Sequence, residues 1–422
     1  MVFEVNDDAL PNAKMLVVGV GGAGGNAVNR MVEEHLNGVE FISMNTDAQA
    51  LSGSKAGSKL QLGARLTRGL GAGARPEVGR QALAESEREV RALLEGADLV
   101  FVTAGMGGGT GTGAAPMVAE IARELGALTI GIVSKPFGFE GPKRLHYARR
   151  GLTELRRAVD TMIVVANERL LTVLPKGASV REALKKADEV LFNATRGISD
   201  LVHETGDVNV DFADVRTVML GKGPGLMGAG EATGDDRALE AAREAISSPL
   251  LDDVSISGAT DLLVNVSGGP DVAMSEVSQA ISMVREEAGY DAEVIFGTVT
   301  NDKLEGLIRV TVIATGFEGA DEADILTPEG RGPVSSTGRA LRAGAAPASL
   351  RGSAPSPWNR HDPLAGRANQ GHGGGARTHQ TPRQGLPPMG GPVAARRQSA
   401  PEREPGGMID LEIPTFILRQ MD

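Results

Sequence analysis

The chain has no cysteine in its 422 residues. That excludes disulfides, thiolate-held zinc and a thiol nucleophile together, and it fits a reducing compartment. Aromatic residues make up 3%, with one tryptophan, Trp358. Trp358 and the linker arginines could suggest RNA binding, but one aromatic in such a length is a weak signal. No run reaches the roughly 18 apolar residues that a membrane helix needs. The start, Met1 to Pro11, carries acids where a signal peptide needs a basic and then an apolar region. No G-x-x-x-x-G-K-[ST] occurs, so the chain is not a P-loop NTPase. The six His, at 35, 146, 203, 361, 372 and 379, show no ligand spacing. No protein metal site is therefore expected, and a soluble, cytoplasmic protein is.

The net charge of -11 is unevenly spread. From Glu318 onward there are 12 Arg and no Lys against 11 acids, so residues 1–317 hold the negative charge. An acidic body lacks the basic face that duplex nucleic acid requires.

What is present is a βαβ rhythm. Apolar runs at Met15–Val20, Glu40–Asn45, Leu99–Ala104, Leu128–Val133 and Thr161–Ala166 read as strands buried on both faces. Helical segments, including Glu77–Leu94 and Ala114–Glu124, alternate with them. The fold class is α/β, with a doubly wound parallel sheet. Val180, Leu184, Ala187, Leu191, Ala194, Ile198 and Leu201 form one stripe, which predicts a long helix over Val180–Val202. A second, smaller α/β unit follows. Its expected strands are Asp261–Val266, Glu293–Phe296 and Leu307–Ala314, and its helices Asp235–Ile246 and Val272–Glu287. The organisation read this way is a flexible start over 1–11, a nucleotide domain over 12–178, a central helix over 179–205 and a second domain over 206–317. A disordered linker over 318–408 and a terminal peptide over 409–422 complete it. The linker is rich in Gly, Pro, Ala and Arg and poor in branched apolar residues, so burial cannot offset its ordering entropy. The return of Ile409, Leu411, Ile413, Phe416, Ile417 and Leu418 after it reads as a docking peptide on a tether.

Two glycine loops carry the chemistry. The first, Gly19 to Asn26, satisfies G-x-G-x-x-G through Gly19, Gly21 and Gly24, with Asp47 a little over 20 residues on. Alone, it is compatible with a dinucleotide site or with a plain tight turn. The second, Gly105-Met106-Gly107-Gly108-Gly109-Thr110-Gly111-Thr112-Gly113, is too glycine-rich for a helix and offers amides and two hydroxyls before a helix opens near Thr112. Two such loops point to a nucleotide with more phosphates than a pyrophosphate. A third run, Gly69 to Arg75, lies between them. Asp211 and Asp214, three apart, could polarise a water from one side of a helical turn. The same spacing serves equally as an N-cap followed by a solvated acid.

Gly107 to Gly113 resembles the signature of the tubulin/FtsZ family. So do Asn45-Thr46-Asp47, Lys135-Pro136-Phe137-Gly138-Phe139-Glu140-Gly141 and Asn209 to Val215. Their order and spacing are similar to that family over residues 12–317, and Asp410–Gln420 matches its terminal peptide. The resemblance implies a GTPase that polymerises head to tail into the bacterial division ring, with GTP or GDP and Mg²⁺ as cofactors. It implies nucleotide contacts at Gly21, Gly22, Ala23, Gly24, Gly25 and Asn26, and at Gly105, Gly107, Gly108 and Thr112. Gly109, Thr110 and Gly111 would hold the β- and γ-phosphates, with Ala72 and Gly73 closing over the latter. Pro136, Phe137, Glu140 and Arg144 would border the ribose. Asn26, Asn167 and Asp188 would read guanine, since a carboxylate accepts from both N–H groups on that base edge. Asn209, Asp211 and Asp214 would complete the catalytic site of the adjacent subunit. Membrane-tethering and regulatory division proteins would bind Asp410–Gln420, placing the protein at mid-cell. Three departures from the family pattern stand out: Leu184 where an aromatic is usual, Arg75 where Asn is usual, and a Gly/Pro-rich Gly221 to Gly225. An NAD(P)-dependent oxidoreductase and a GTP-binding filament protein without turnover are the rival readings. The second glycine loop opposes the first rival, and the acid pair opposes the second.

Overall fold

A computed structural model describes residues 13–175, 177–204, 206–248 and 255–317. The expected linker and terminal peptide lie outside the described residues.

The strands are β1 (Met15–Val20), β2 (Val39–Asn45), β3 (Ser58–Gln61), β4 (Leu99–Gly105), β5 (Leu128–Lys135), β6 (Thr161–Ala166), β7 (Gly223–Thr233), β8 (Asp261–Gly268), β9 (Glu293–Thr300) and β10 (Leu307–Thr315). They form one sheet in the order β3-β2-β1-β4-β5-β6-β7-β10-β8-β9. From β3 to β6 every pairing is parallel. β1 and β4 are almost wholly buried, as their unbroken apolar runs require when helices cover both faces.

Twelve helices surround the sheet among the described residues. They are α1 (Gly21–Glu33), α2 (Ala48–Ser52), α3 (Ala64–Thr67), α4 (Pro76–Glu85), α5 (Glu87–Leu94), α6 (Thr110–Glu124), α7 (Pro142–Ala158), α8 (Asn167–Val173), α9 (Val180–His203), α10 (Phe212–Met219), α11 (Arg237–Ile246) and α12 (Met274–Ala288). The single helix expected over Glu77–Leu94 is two, broken at Ser86. The Ser86 hydroxyl accepts the Gly63 amide at 3.1 Å, so a tertiary hydrogen bond interrupts a segment whose pattern alone is continuous. The second glycine run also corrects an expectation. Helix α6 starts at Thr110, so Thr110 to Gly113 are its first turn and not a loop. Likewise Gly21 to Gly25 form the first turn of α1. Both runs end strands and open helices at once, leaving first-turn amides without helical partners.

Helix α9 is capped by Ser179, whose hydroxyl accepts the Glu182 amide at 3.2 Å while Glu182 accepts from Ser179. Ala187, Leu191, Ala194, Ile198 and Leu201 of the expected stripe are buried in one core with β1, β5, α10 and parts of β8 and β10. Val180, at the exposed first turn, is not.

Strand β7 was not legible as a strand. Its sequence, GPGLMGAGEAT, lacks β-branched residues before the final Thr233. Packing explains it. A Cβ at Gly228 or Gly230 would lie 1.9 Å from the Ala245 carbonyl oxygen or 2.2 Å from that of Ala241. Bare glycine thus lets α11 press onto the strand. β7 pairs with β6 in parallel over Thr161–Ile163 and then with β10 antiparallel over Leu226–Thr233. This one strand joins the two α/β units into a continuous sheet.

Candidate nucleotide site

The order β3-β2-β1-β4-β5-β6 reverses direction between β1 and β4. Ligands of doubly wound sheets bind at such a switch point, beyond the carboxyl ends of the strands. Val20 lies opposite Ala104 in register, so the first turns of α1 and α6 start side by side there. Gly21 sits at φ +77°, and a Cβ on it would meet the Gly111 amide nitrogen at 2.8 Å. Gly24 faces Thr103, where a Cβ would lie 2.4 Å from the carbonyl oxygen. The two glycine runs are therefore in backbone contact, and residues of both line one crevice.

The crevice has two lobes that share Gly22 and Asn26. One, of about 430 Å³, is lined by Gly21, Gly25, Asn29, Ser43, Asn45 and Asp47 among others. The other is lined by Ala23, Gly105, Gly108, Gly111, Pro136, Glu140, Arg144, Asn167, Leu184 and Asp188. The structure thus gathers most of the expected contacts from six elements. Asn29, Ser43 and Gln49 were not anticipated, because nothing in their local sequence marks them. Asn45 and Asp47 were visible as a motif but carried no assigned role. Asp47 caps α2, accepting from Gln49 and Ala50 at 2.8 and 3.1 Å.

Other expected contacts line neither lobe. Ala72 is buried, and a Cβ on Gly109 would come within 2.8 Å of its side chain. Phe137 is buried and stacks on Phe139 at 5.0 Å. Gly24, Gly73, Gly107, Gly109, Thr110 and Thr112 likewise stand outside the two linings. The two threonine hydroxyls are engaged within the protein. That of Thr112 accepts the Gly107 amide at 2.9 Å, and that of Thr110 lies 2.6 Å from the Thr46 hydroxyl.

The second lobe is built to receive donors. Glu140 is held by the Phe137 amide at 2.8 Å and by Arg144 at 3.0 Å, so it is not a loose surface carboxylate. The Asn167 side-chain oxygen is buried without a hydrogen-bond partner. An unpaired acceptor in such a place costs stability unless a ligand donates to it. Burial raises the Asp188 carboxyl to about 7, opposed by the positive charge of nearby Arg30. Both groups fit a base edge rich in N–H donors.

The acid pair is elsewhere. Asp211 caps α10, accepting the Asp214 amide at 2.8 Å, and both side chains are exposed. The Asn209 side-chain oxygen accepts from Gly206 at 2.8 Å. The α10 carbonyl of Met219 and that of Val218 accept from Thr161 and Thr315 at 2.5 and 2.8 Å. Thr161 begins β6, so α10 lies at the amino-terminal edge of the parallel strands. Helix α9 crosses between the edges, a rise of about 36 Å. Leu184 and Asp188 near its start line the crevice. Near its end the Ser199 hydroxyl donates to the Asn37 carbonyl, just before β2.

Residues 14–175 match the model of the tubulin/FtsZ family GTPase domain, and residues 223–318 match that of the FtsZ family C-terminal domain. An empty FtsZ dimer from M. jannaschii is 43% identical, with a TM-score of 0.70, over 73% of this chain and 89% of its own. The chain belongs to the tubulin/FtsZ family. It is accordingly a GTPase that binds GTP and GDP. A tryptophan-to-tyrosine mutant of FtsZ from M. jannaschii matches at 43% identity and TM-score 0.70, over 72% of this chain and 92% of its own. CetZ2 from Haloferax volcanii, a GTPγS-bound protofilament, shares the fold at 24% identity and TM-score 0.63, over 74% of this chain and 96% of its own. Apart from Leu184 and Asp188, the residues named for the crevice lie within the part of the chain that matches the GTPase domain. Among the described residues no helix is long and apolar enough to cross a membrane.

Proposed function

We propose that this chain polymerises head to tail and hydrolyses GTP between subunits, as the working polymer of a bacterial division ring at mid-cell. The observation that supports it is the separation of crevice and acids on opposite edges of one sheet. A single copy cannot bring Asp211 to its own nucleotide without dismantling α9. Two copies stacked crevice to acid edge can, and such a heterologous contact repeats as an open filament. The relatives solved as a dimer and as a protofilament are in keeping with it.

In this reading the amide of Gly109 and the first-turn amides of α1 and α6, including those of Thr110 and Gly111, hold the phosphates. Asp188 and Asn167 accept from guanine, and Glu140 with Arg144 borders the ribose. Asp211 and Asp214 of the neighbouring copy orient a water and take its proton. Mg²⁺ would come with the triphosphate and neutralise its charge. The donor set suits that arrangement. It is mostly amides and hydroxyls, with Asp47 the acid of the first lobe, and among the described residues no group of three or more His, Cys, Asp or Glu could hold a metal. The Asp410–Gln420 peptide would recruit membrane-tethering and regulatory proteins.

The test mixes two variants. Asp211→Asn should bind GTP and assemble yet hydrolyse little. A Gly109/Thr110 variant that binds no nucleotide keeps its acids. Mixed and co-assembled, as checked by sedimentation, they should recover hydrolysis. No recovery at any ratio would mean that the site is complete in one chain.

A further inference from the structure

Thr46 has no place in the nucleotide chemistry so far, yet it touches both sides of it. It is fully buried between β2 and α2. Its hydroxyl oxygen lies 2.6 Å from that of Thr110, the first residue of α6, which is 1% exposed. Its carbonyl accepts the Gly71 amide at 3.3 Å and the Thr67 hydroxyl at 3.2 Å. The run Gly69 to Arg75 is therefore hung on this one residue and its neighbours. The Ala48 amide donates to Gly69 at 3.1 Å, and Asp47 forms an isolated bridge with Leu70. The far side of that run abuts the phosphate loop through Ala72 and Gly109.

A hydroxyl carries one hydrogen and can also accept. If Thr110 donates to Thr46, its hydrogen is spent inside the protein. If Thr46 donates to Thr110, the Thr110 hydrogen is free for a phosphate oxygen, and the two bonds polarise each other. The pair is thus a two-way rotor whose direction depends on what stands beside Thr110.

We infer that Thr46 is a specificity-determining residue for GTP over GDP, acting by donating to Thr110 when a terminal phosphate is present. The inference rests on the reading that Thr110 faces that phosphate. Thr46 is a positioning residue, because it acts through Thr110 and through the Gly71 amide.

The test measures the affinities of GTPγS and GDP for the full chain, below the concentration at which it assembles. Thr46→Val keeps the shape and removes the donor. Loss of one buried neutral hydrogen bond corresponds to about a five- to tenfold effect. The preference for GTPγS should fall by about that factor in Thr46→Val, with GDP affinity within about twofold of the parent. Thr46→Ser, which restores the donor with less steric demand, should keep the preference. Thr110→Val should lose it to a similar extent, and Thr46→Val/Thr110→Val should lose no more than either single variant, since the pair acts as a unit. Equal losses for GTPγS and GDP in Thr46→Val would make its role merely structural and overturn the inference. Losses that multiply in the double variant would overturn it too. Normal GTPγS affinity in Thr110→Val would instead remove the phosphate reading on which it rests. Should Thr46→Val fold poorly, Thr46→Ser with an altered preference and unchanged melting would likewise overturn the proposal.

Discussion

The two edges of the parallel sheet are built on opposite principles. At the carboxyl edge most of the functional groups are buried or half-buried, and several are fixed by hydrogen bonds. Amides emerge from two helix starts in backbone contact, Glu140 is tied at both oxygens, and Asn167 is left without a partner for its side-chain oxygen. At the amino edge the acids are exposed, and only the helix that carries them is fixed. Thr161 and Thr315, from the two halves of the sheet, hold the end of α10 through its last carbonyls. A surface that must recognise one base and a triphosphate gains from preorganised, water-poor donors. A surface that must meet a partner gains from exposed groups on a rigid mount. The crevice is formed within one chain, while the acids are presented outward.

Asp211 offers the sharpest way to break this comparison. It both caps α10 and is the proposed catalytic acid. Asn caps as well as Asp, so Asp211→Asn should leave the melting temperature nearly unchanged while GTP turnover falls about 100-fold or more. Parallel loss of stability and turnover, measured by calorimetry and phosphate release, would make Asp211 a structural cap alone.

The mount itself can be tested at Lys222, which donates to buried Asp261 at 2.7 Å. Lys222→Met should destabilise by about 2 kcal/mol, less than for a fully buried pair because the lysine is partly exposed. Lys222→Met/Asp261→Asn should recover part of that loss, because no unpaired charge is then left buried. Denaturant unfolding of the single and double variants decides it.

A third test addresses the crevice through pH. Asp188 in the free protein is raised to about 7 by burial. The carboxylate is the form that accepts from guanine. GTP affinity should therefore rise between about pH 6 and pH 8, by up to about tenfold for one such group. Binding should release a proton, visible as a buffer-dependent heat. Asp188→Ala should flatten the profile and admit ATP. For the unliganded fold the sign is opposite. A carboxyl raised in the folded state costs stability as pH climbs from about 4 to about 7, so Asp188→Asn should gain stability at the upper end of that range.

The smallest effect is expected from cutting the chain after Gly330. GTP turnover and assembly should change by less than about twofold, because every group these processes use in the proposed mechanism precedes the cut. Failed assembly, seen by light scattering, would show that the remaining residues take part in the polymer.

Strand positions such as Met15–Val20 and Leu99–Ala104 were legible in the chain because burial on both faces demands an unbroken apolar run. The long helix, expected over Val180–Val202, was legible because one apolar stripe at helical period has few other uses. The glycine runs announced phosphate chemistry, since only bare backbone at a helix start offers so many free amides. All three properties are local: they follow from a residue and its near neighbours. What remained hidden depends on partners far along the chain. β7 is a strand because glycines at 228 and 230 admit α11, and Ser86 breaks a helix because Gly63 donates to it. Thr46 is joined to Thr110, 64 positions away, by a hydroxyl contact that no spacing encodes. The position of Asp211 at the edge opposite the crevice follows from the length of α9 and the register of β6 and β7. Each of these is decided by which backbones can approach one another, and that is settled only when the sheet is assembled.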